Sequence, residues 1–320
     1  MHLVIAMPVY EDWASAALLC AAIDSQIRAM PSVSASVLMI DDGSITPAEK
    51  FLSELGPTVL RDVWVLGLRR NVGHQRAIAI GLTWIQQKVD CDAVLVMDAD
   101  GEDRPEDIPR LVQKLQDSGN TVAVFAERGR RVEGAVFKIL YLCYRVLHYL
   151  LTGRGIKFGN FSVLPRNYLE SIVVLPQLWN HYAAAVLQSR LPYVTVRADR
   201  GNRLRGGSRM GFVDLVVHGT SALFSQYEVV GTRIFLAAML LMLLLSLLIA
   251  AVVAIRFATN LAIPGWATAT SGLLLILVSQ AVTTSLVMVF FIMTNRSSLG
   301  FLPLRDYSYF VSDCKRVFPR

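Results

Sequence analysis

Short apolar runs separated by amphipathic segments occupy the first 126 residues of the chain. The runs that predict buried β-strands are Leu3–Met7, Ser36–Ile40, Val63–Gly67, Ala93–Met97 and Thr121–Ala126. The segments between them predict helices near Trp13–Ala29, Pro47–Leu55, His74–Gln87 and Pro105–Ser118. Strands that alternate with helices in this way are typical of a mostly parallel sheet. The predicted fold class of this part is therefore α/β.

Two longer apolar segments lie near the C-terminus. Ile234–Ile255 contains no charged residue, and a second uncharged stretch extends over Phe257–Thr294. At about 1.5 Å per residue, each is long enough to cross a hydrocarbon core of about 30 Å. Pro264 and Gly265 interrupt the second stretch near its start, which predicts a hairpin of two transmembrane helices. The alternative is a pair of very apolar helices in a soluble core.

The composition and the positions of the charges agree with a membrane protein. Hydrophobic residues make up 54% of the 320 residues, which is more than a soluble domain usually has. Lysine and arginine number 31 against 25 aspartates and glutamates, a formal net charge of +6. Five basic residues follow the second apolar stretch, whereas the connecting loop has one. This asymmetry predicts that both termini are cytoplasmic and that the protein is integral to the inner or plasma membrane.

Several classes of protein and site are disfavoured. The N-terminus has no basic region followed by a long apolar core, so we expect no cleaved signal peptide. The four cysteines are scattered without a C-x-x-C motif, so we expect them to be reduced and structural. His148, His181 and His218 lack metal-ligand spacing and are also expected to be structural. Dinucleotide and P-loop motifs are absent. No nucleic-acid module is recognisable, so nucleic acid is not an expected partner.

Acidic residues follow three of the predicted strands. Asp12 comes after the first strand, Asp41-Asp42 after the second, and Asp98-Ala99-Asp100 after the fourth. Because the carboxyl ends of parallel strands meet at one edge of a sheet, we expect these residues to line one crevice. Two carboxylates two residues apart offer hard oxygen ligands to Mg²⁺ or Mn²⁺, which can bridge them to a diphosphate. A single Asp-x-Asp is also common in solvated turns, so only the set indicates a site.

Five motifs occur in the order of a known family. They are Pro8-Val9-Tyr10, Asp41-Asp42-Gly43-Ser44, Arg70-Asn71-Val72-Gly73-His74-Gln75-Arg76-Ala77, Asp98-Ala99-Asp100-Gly101-Glu102-Asp103-Arg104-Pro105-Glu106 and Arg200-x-x-Arg203-x-x-Gly206-x-Ser208-Arg209-Met210. With this set the chain resembles glycosyltransferase family 2, in the polyprenyl-phosphate glycosyltransferase branch that includes dolichyl-phosphate mannose synthase and bacterial undecaprenyl-phosphate glucosyltransferases. The resemblance implies a GT-A catalytic domain, Rossmann-like with a mostly parallel sheet, followed by interfacial helices and a two-helix transmembrane hairpin.

The resemblance also implies the residues of the site. The donor-binding residues would be Pro8, Tyr10, Asp12, Asp41, Asp42 and Asp98. Asp98, Asp100 and Glu102 would hold Mg²⁺ or Mn²⁺. The acceptor phosphate would contact Arg128, Arg131, Lys138, Arg203, Ser208 and Arg209. The catalytic residues would be Asp98, Asp100, Asn160, Arg128 and Arg131. The alternative for the basic clusters is a solvated face or a positive-inside signal.

Three departures from the family pattern bear on the chemistry. Glu11-Asp12 stands where the family usually has Asn-Glu, and Arg104 stands where it usually has Pro. Asn160 replaces an Asp found in the Gly-Asp-Phe segment of related enzymes, where it has been considered a catalytic base. The first two departures leave the nucleotide base and the sugar of the donor open.

The expected organisation follows from these features. It comprises a cytoplasmic GT-A domain at 1–210 with a candidate interfacial helix at 134–152, a juxtamembrane amphipathic helix at 211–232, a membrane segment at 233–295 with helices at 234–255 and 266–294, and a basic cytoplasmic tail at 296–320. The helix at 134–152 could instead belong to a soluble core.

The expected activity is metal-dependent transfer of one sugar from a nucleotide-sugar, most simply a UDP-sugar, to polyprenyl phosphate, and the resemblance implies that the transfer inverts the configuration at the anomeric carbon. The bilayer is an expected partner, and a homo-oligomer is left open. Two alternatives remain at this stage. One is a processive glycan synthase, which would normally have a Gln-x-x-Arg-Trp motif and more membrane spans. The other is a catalytically silent membrane scaffold of the same fold.

Overall fold

The computed structural model describes residues 1–53, 56–128, 142, 146–153, 158–199, 201, 203–204, 226–259, 265–297 and 300–319. The chain divides into two compact units. The sheet unit consists of Met1–Lys138, Ile156–Ser225 and Phe301–Arg320, and the helix-pair unit consists of Ile139–Gly155 and Gln226–Gly300.

Among the described residues, one eight-stranded sheet organises the sheet unit. Its strands are β1 (His2–Val9), β2 (Ser34–Asp41), β3 (Asp62–Leu68), β4 (Ala93–Val96), β5 (Ala123–Arg128), β6 (Phe158–Pro165), β7 (Tyr193–Ala198) and β8 (Val311–Phe318). They lie in the order β7-β5-β6-β4-β1-β2-β3-β8. Strands β4, β1, β2 and β3 are parallel, as are β5 and β7, whereas β6 and β8 are antiparallel to their neighbours. The predicted α/β class with a mostly parallel sheet is confirmed.

Helices connect most of these strands. They are α1 (Trp13–Arg28), α2 (Glu49–Leu52), α3 (His74–Lys88), α4 (Ile108–Asp117), α5 (Arg166–Ile172), α6 (Tyr182–Gln188), α7 (Tyr227–Ala258), α8 (Trp266–Ser297) and α9 (Pro303–Asp306), with 3₁₀ turns at Pro105–Asp107, Pro176–Trp179 and Tyr307–Tyr309. The five predicted strands and the four helices between them are all found, and most of their ends lie within a few residues of the predicted ones. The predicted end of the second helix, Leu55, lies outside the described residues.

The central strands are apolar on both sides because the sheet is covered on both faces. In β1, Leu3 and Ile5 join a core that includes residues of α1 and α4. Val4 and Ala6 join a second core that includes residues of α3, α5 and α6. All four side chains are fully buried or nearly so. A parallel strand in such a place reads as a continuous apolar run, which is why the sequence predicted it well.

Residues after the second apolar helix return to the sheet unit. Strand β8 lies in the segment predicted as a basic tail, and it pairs antiparallel with β3. Gly67 on β3 leaves room for this pairing, because a Cβ at that position would lie 2.8 Å from Ser312 Oγ. Just before β8, the ring of Phe301 stacks on Trp179 with 3.6 Å between the ring centroids. The tail is therefore part of the folded sheet unit.

The helix-pair unit contains the two predicted apolar helices. Tyr227–Ala258 and Trp266–Thr294 are long and apolar enough to cross a membrane, with mean hydropathy of 3.0 and 2.2. Only 17% and 11% of their most apolar windows are buried, which is unlike a pair of helices in a soluble core. The residues of α7 that are buried recur every seven positions, as in coiled-coil packing, at Gly231, Ala238, Leu245 and Val252. Membrane insertion itself stays a prediction.

The candidate interfacial helix at 134–152 is described only at 142 and from 146 onwards. Residues 146–152 are helical, and Val146, Leu147, Tyr149 and Leu150 are exposed. The predicted juxtamembrane helix at 211–232 lies mostly outside the described residues, which resume at 226 with α7 beginning at Tyr227. Exposed apolar side chains on a short helix are compatible with a position in the lipid headgroup region.

Candidate active site

Three loops lie side by side at the carboxyl edge of the sheet. They follow β4, β1 and β2, which are consecutive neighbours in the sheet order. We call these loops, residues 98–103, 10–12 and 41–44, the acidic edge. In open α/β sheets, ligands bind outside the carboxyl ends of the strands. The sheet order therefore brings together the three acidic strand ends noted in the sequence.

The loops after β1 and β2 are fastened to each other by Glu11. Its backbone N–H donates to Ser44 Oγ at 3.0 Å, and its carboxylate Oε1 accepts from the backbone N–H groups of Ile45 and Thr46. Glu11 has a left-handed backbone with φ of 53°, which is uncommon outside glycine. The neighbouring Tyr10 keeps 46% of its surface exposed.

The two aspartates of the loop after β2 bind backbone N–H groups. Asp42 is buried and accepts from Val72 N–H at 2.7 Å and from Gly73 N–H at 3.0 Å. Asp41 Oδ1 accepts from Ser44 N–H at 2.9 Å. Burial raises the pKa of both carboxyl groups in spite of these hydrogen bonds. Asp42 therefore fixes the loop that leads into α3, in addition to any contact with a ligand.

The loop after β4 is held by its own carboxylates. Asp103 is buried, and its Oδ2 accepts from the backbone N–H of Asp98 at 2.9 Å. Asp100 Oδ1 accepts from Glu102 N–H at 2.9 Å. Gly101 between them has φ of 87°, a conformation that favours glycine. Asp103 was missed as a site residue, although it lies inside the motif that begins at Asp98.

His74 at the start of α3 faces the loop after β4. Its Nε2 lies 3.1 Å from Asp98 Oδ1 and 3.0 Å from Asn160 Nδ2. The His74 side chain keeps 43% of its surface exposed, so desolvation lowers its pKa less than a fully buried position would. The nearby carboxylates, Asp98 foremost and then Asp103 and Asp100, outweigh this effect and raise the pKa. Sequence reasoning did not select His74, although it belongs to the motif that begins at Arg70.

Asn160 lies on β6 beside the acidic edge, because β6 pairs with β4. Its side chain is more than nine-tenths buried. Asn160 Oδ1 accepts from Gln75 Nε2 at 3.2 Å, and Gln75 Oε1 accepts from the backbone N–H of Tyr182 at 2.7 Å. Asn160 and Asp98 therefore both lie within about 3 Å of His74 Nε2, and the catalytic role of Asn160 stays a prediction. Gln75 was not selected from the sequence.

Arg203 reaches the acidic edge from a distant part of the chain. Its guanidinium lies 3.4 Å from Asp12 Oδ2. On either side of it, Leu204 N–H donates to the carbonyl of Asp100 at 3.0 Å, and Gly201 N–H donates to the carbonyl of Glu102 at 2.9 Å. Backbone hydrogen bonds therefore place the described part of the 201–204 segment against the loop after β4.

The other predicted acceptor residues are outside what the structure describes. Arg131, Lys138, Ser208 and Arg209 lie in undescribed ranges, and for Arg128 only the backbone, at the end of β5, is described. Their roles stay predictions. Pro8 is buried within β1, and its predicted contact with the donor stays a prediction.

The carboxylates of Asp98 and Asp100 suit a divalent cation that is also bound by a diphosphate. Within the described residues there is no group of three or more His, Cys, Asp or Glu side chains arranged to enclose a metal ion. Asp98 and Asp100 are two hard carboxylates at an open edge, and neither is fully buried. Mg²⁺ is commonly held by one or two carboxylates together with substrate phosphates and water. The chemistry of the pair therefore fits Mg²⁺ or Mn²⁺ shared with a diphosphate, and the role of Asp98 and Asp100 as protein ligands stays a prediction.

The family of the chain follows from its sequence as a whole. Residues 4–172, more than half of the chain, match the family described as Glycosyl transferase family 2. The chain belongs to this family. The predicted family and its GT-A fold are confirmed.

Relatives and solved structures agree with this placement. The chain is 26% identical over 230 residues to undecaprenyl-phosphate 4-deoxy-4-formamido-L-arabinose transferase of Proteus mirabilis, and 25% identical to the Photorhabdus laumondii protein of the same name. Each match spans 66% of this chain and 66% of the relative, just under two thirds of the relative's length. The fold is similar to that of glucosyl-3-phosphoglycerate synthase from Mycobacterium tuberculosis, with a TM-score of 0.52, 17% identity and coverage of 72% of this chain and 79% of that one. That structure contains Mn²⁺, UDP-glucose and phosphoglyceric acid.

Proposed function

We propose that this protein transfers one sugar from a UDP-sugar to a polyprenyl phosphate at the cytoplasmic face of a membrane. The observation that carries the proposal is the position of Asp98 and Asp100 among three adjacent acidic strand ends in a family 2 fold. Relatives named as undecaprenyl-phosphate sugar transferases support a lipid phosphate as the acceptor. The structural neighbour that holds UDP-glucose and Mn²⁺ supports a UDP-sugar donor and a divalent cation.

The donor would bind along the acidic edge. The exposed ring of Tyr10 offers a stacking surface for the base, and Asp41 and Asp42 offer acceptors for base N–H and ribose hydroxyl groups. Asp98 and Asp100 would hold Mg²⁺ or Mn²⁺, which neutralises charge on the diphosphate leaving group when bound. Glu102 stays a predicted third ligand, and its described contacts are made by its backbone.

The acceptor does not need a general base. A phosphate monoester has a second pKa of about 6, so near pH 7 it is largely dianionic and can attack directly. An acceptor oxygen would form a bond to the anomeric carbon while the bond from that carbon to the diphosphate breaks, which inverts the configuration. The amide of Asn160 cannot take up a proton, and its part would be to donate a hydrogen bond. Arg203, paired with Asp12, would help to align the two anionic partners.

The helix-pair unit would hold the enzyme at the bilayer, where the lipid phosphate arrives. Both α7 and α8 are long enough to cross it, and residues 146–152 expose apolar side chains that suit the headgroup region. The inner or plasma membrane and the cytoplasmic side remain proposals, supported by the basic residues outside the apolar segments.

The test is transfer by the purified full chain in detergent. Radiolabelled UDP-sugars would be offered one at a time with undecaprenyl phosphate and Mg²⁺ or Mn²⁺, and the label would be followed into the organic phase. We expect a lipid product with one sugar per lipid, lost on addition of EDTA.

Three other outcomes would contradict the proposal. Label that is released only into water would indicate hydrolysis. Lipid that carries several sugars would indicate a processive synthase. No turnover with any nucleotide-sugar, in protein that still binds lipid vesicles, would indicate a silent scaffold.

A further inference from the structure

The orientation of the Asn160 amide is set by a backbone group two elements away. The N–H of Tyr182, the first residue of α6, lies 2.7 Å from the side chain of Gln75. A backbone N–H can only donate, so the Gln75 atom that faces it is Oε1. The first N–H groups of a helix have no partner within the helix, so this N–H depends on Gln75.

The orientation of the Gln75 amide in turn fixes the orientation of the Asn160 amide. With Oε1 facing Tyr182, the NH₂ group of Gln75 faces Asn160, and the distance between Gln75 Nε2 and the Asn160 amide is 3.2 Å. An NH₂ group can only donate, so the atom of Asn160 that receives it is Oδ1. The Nδ2 group of Asn160 is left facing His74, whose Nε2 is 3.0 Å away. The hydrogen bonds from Tyr182 to Gln75 and from Gln75 to Asn160 therefore determine an amide orientation that is otherwise ambiguous.

The surroundings hold this arrangement rigidly. Asn160 is more than nine-tenths buried, and its backbone carbonyl accepts from Ser162 Oγ at 2.9 Å. The same hydroxyl lies 2.6 Å from the Tyr182 phenol, which is fully buried. Strand β6 and the start of α6 are thus connected twice, through Ser162 and the Tyr182 phenol and through Asn160, Gln75 and the Tyr182 backbone.

We propose that Gln75 is a positioning residue that turns the NH₂ group of Asn160 toward the acidic edge. The NH₂ group has two hydrogens. His74 Nε2 can accept one of them only when it carries no proton, since a proton on Nε2 would be donated to Asp98. The other is available to an oxygen acceptor, such as a sugar hydroxyl or a phosphate oxygen. Asn160 therefore serves the reaction as a hydrogen-bond donor, and Gln75 acts through it without touching the substrate. This inference rests on the proposed function for its kinetic consequence, although the orientation itself does not.

The orientation is tested by Gln75→Glu. One oxygen of the introduced carboxylate can still accept from Tyr182 N–H, but the other meets Asn160 Oδ1, and two acceptors repel each other. The Asn160 amide should rotate by about half a turn and direct Nδ2 toward that carboxylate. The probe is the side-chain NH₂ signal of Asn160 in ¹⁵N NMR of the full chain in detergent, identified by its loss in Asn160→Ala. We expect the signal to shift in Gln75→Glu and to stay in place in Gln113→Glu, the same change on the exposed face of α4.

The positioning role is tested by a double-mutant cycle on sugar transfer. Gln75→Ala should lower kcat about 10-fold, the scale of one lost hydrogen bond, with little change in the KM for the nucleotide-sugar. In an Asn160→Ala background the same substitution should change kcat less than about 2-fold, because the group it positions is gone. A general loss of structure would persist in that background.

Either of two results would overturn the inference. One is an Asn160 NMR signal that does not move in Gln75→Glu. The other is an equal fall in kcat on Gln75→Ala in the wild-type and Asn160→Ala backgrounds. If the wild-type protein transfers no sugar to lipid phosphate, the proposed function fails, while the NMR experiment still decides the orientation.

Discussion

A carboxylate at the acidic edge can fasten a loop, face a ligand or do both, and its hydrogen bonds separate these roles. The carboxylate of Asp103 accepts from the backbone N–H of Asp98, and the carboxylate of Asp42 accepts from two backbone N–H groups in the loop just before α3. Both are buried, whereas Asp98 and Asp100 are not fully covered. Loss of a fastening carboxylate should lower both stability and activity. Loss of a ligand-facing one should lower activity with little change in stability.

Asp100→Asn tests the ligand-facing role. The variant keeps the size of the side chain and an oxygen that can accept from Glu102 N–H, but it removes the charge. We expect turnover to fall at least about 100-fold, on the scale of lost electrostatic stabilisation, with an unchanged melting temperature. Asp117→Asn at the end of α4 is the matched control. Full activity of the wild type in EDTA would show that no metal is held there.

Asn160→Ala tests whether catalysis proceeds without a base at this position. We expect a loss of about 1–3 kcal/mol in transition-state stabilisation, the range for one buried hydrogen bond. Because an amide does not ionise, the pH–rate profile should keep its shape. Kinetic constants equal to those of the wild type would show that Asn160 is not part of the site. A shifted or lost ionisation in the pH–rate profile would show that Asn160 acts on a titrating group.

The residues that the sequence did not reveal are those whose roles depend on contacts between distant elements. His74 and Asp98 are 24 positions apart, and Gln75 and Asn160 are 85 positions apart. The motif that begins at Arg70 included His74 and Gln75 but gave no reason to prefer them, since their partners lie on other strands. Asp98 and Asp100 could be found because they are close in sequence and follow an apolar run directly.

At the scale of elements, a strand could be predicted where its own sequence shows burial, and could not be predicted where it depends on pairing with a remote segment. Strands β1 to β4 are buried on both faces, so their apolar runs are visible without knowledge of their neighbours. Strand β8 contains Asp313, Lys315 and Arg316 and is largely exposed, so nothing in its own composition predicts a strand. Its structure depends on pairing with β3, which lies more than 240 residues earlier in the chain.

Asp24 on α1 joins that helix to the loop before β3, and its titration is predictable. Its Oδ1 accepts from the backbone N–H groups of Thr58, Val59 and Leu60 at 2.8–3.0 Å. Burial alone would raise the pKa of Asp24, but these hydrogen bonds and the Thr58 hydroxyl outweigh it and lower the pKa. A lowered folded-state pKa means that the stabilisation is complete above the unfolded pKa of about 3.9 and is lost as the pH falls through the folded value.

Asp24→Asn should therefore destabilise the protein in a pH-dependent way. At pH 7 we expect a loss of about 1–3 kcal/mol in the free energy of unfolding, typical of hydrogen bonds to a charged group. The difference from the wild type should shrink as the pH is lowered toward about 3, below the unfolded pKa, measured by thermal unfolding of the full chain in detergent. A difference that stays constant over this range would mean that the ionised carboxylate is not the stabilising form.

At the scale of the whole molecule, the segment after α8 belongs to the sheet unit, and this limits the possible membrane topologies of the chain. The described residues before α7 and those after α8 include strands of the same sheet, with β3 and β8 directly paired. Two strands of one sheet cannot lie on opposite sides of a membrane. If α7 and α8 are inserted, the chain must therefore cross the bilayer an even number of times between strand β3 and strand β8. This argument is independent of the basic residues, and it favours the same hairpin.

Cysteine labelling tests this hairpin directly. A cysteine at Ala262, between the two apolar helices, and a cysteine at Ser312, on β8, should react with an impermeant maleimide from opposite sides of sealed vesicles. The four native cysteines are replaced by serine first, so that each variant carries a single thiol. Although exposed, Cys314 would be a poor natural probe of β8, because desolvation by neighbouring atoms and Asp313 raise the pKa of its thiol to about 11, which leaves little reactive thiolate at pH 7. Detergent should make both sites reactive, which controls for local access. Labelling of both from the same side before detergent is added would contradict the hairpin, even if each helix is embedded in lipid.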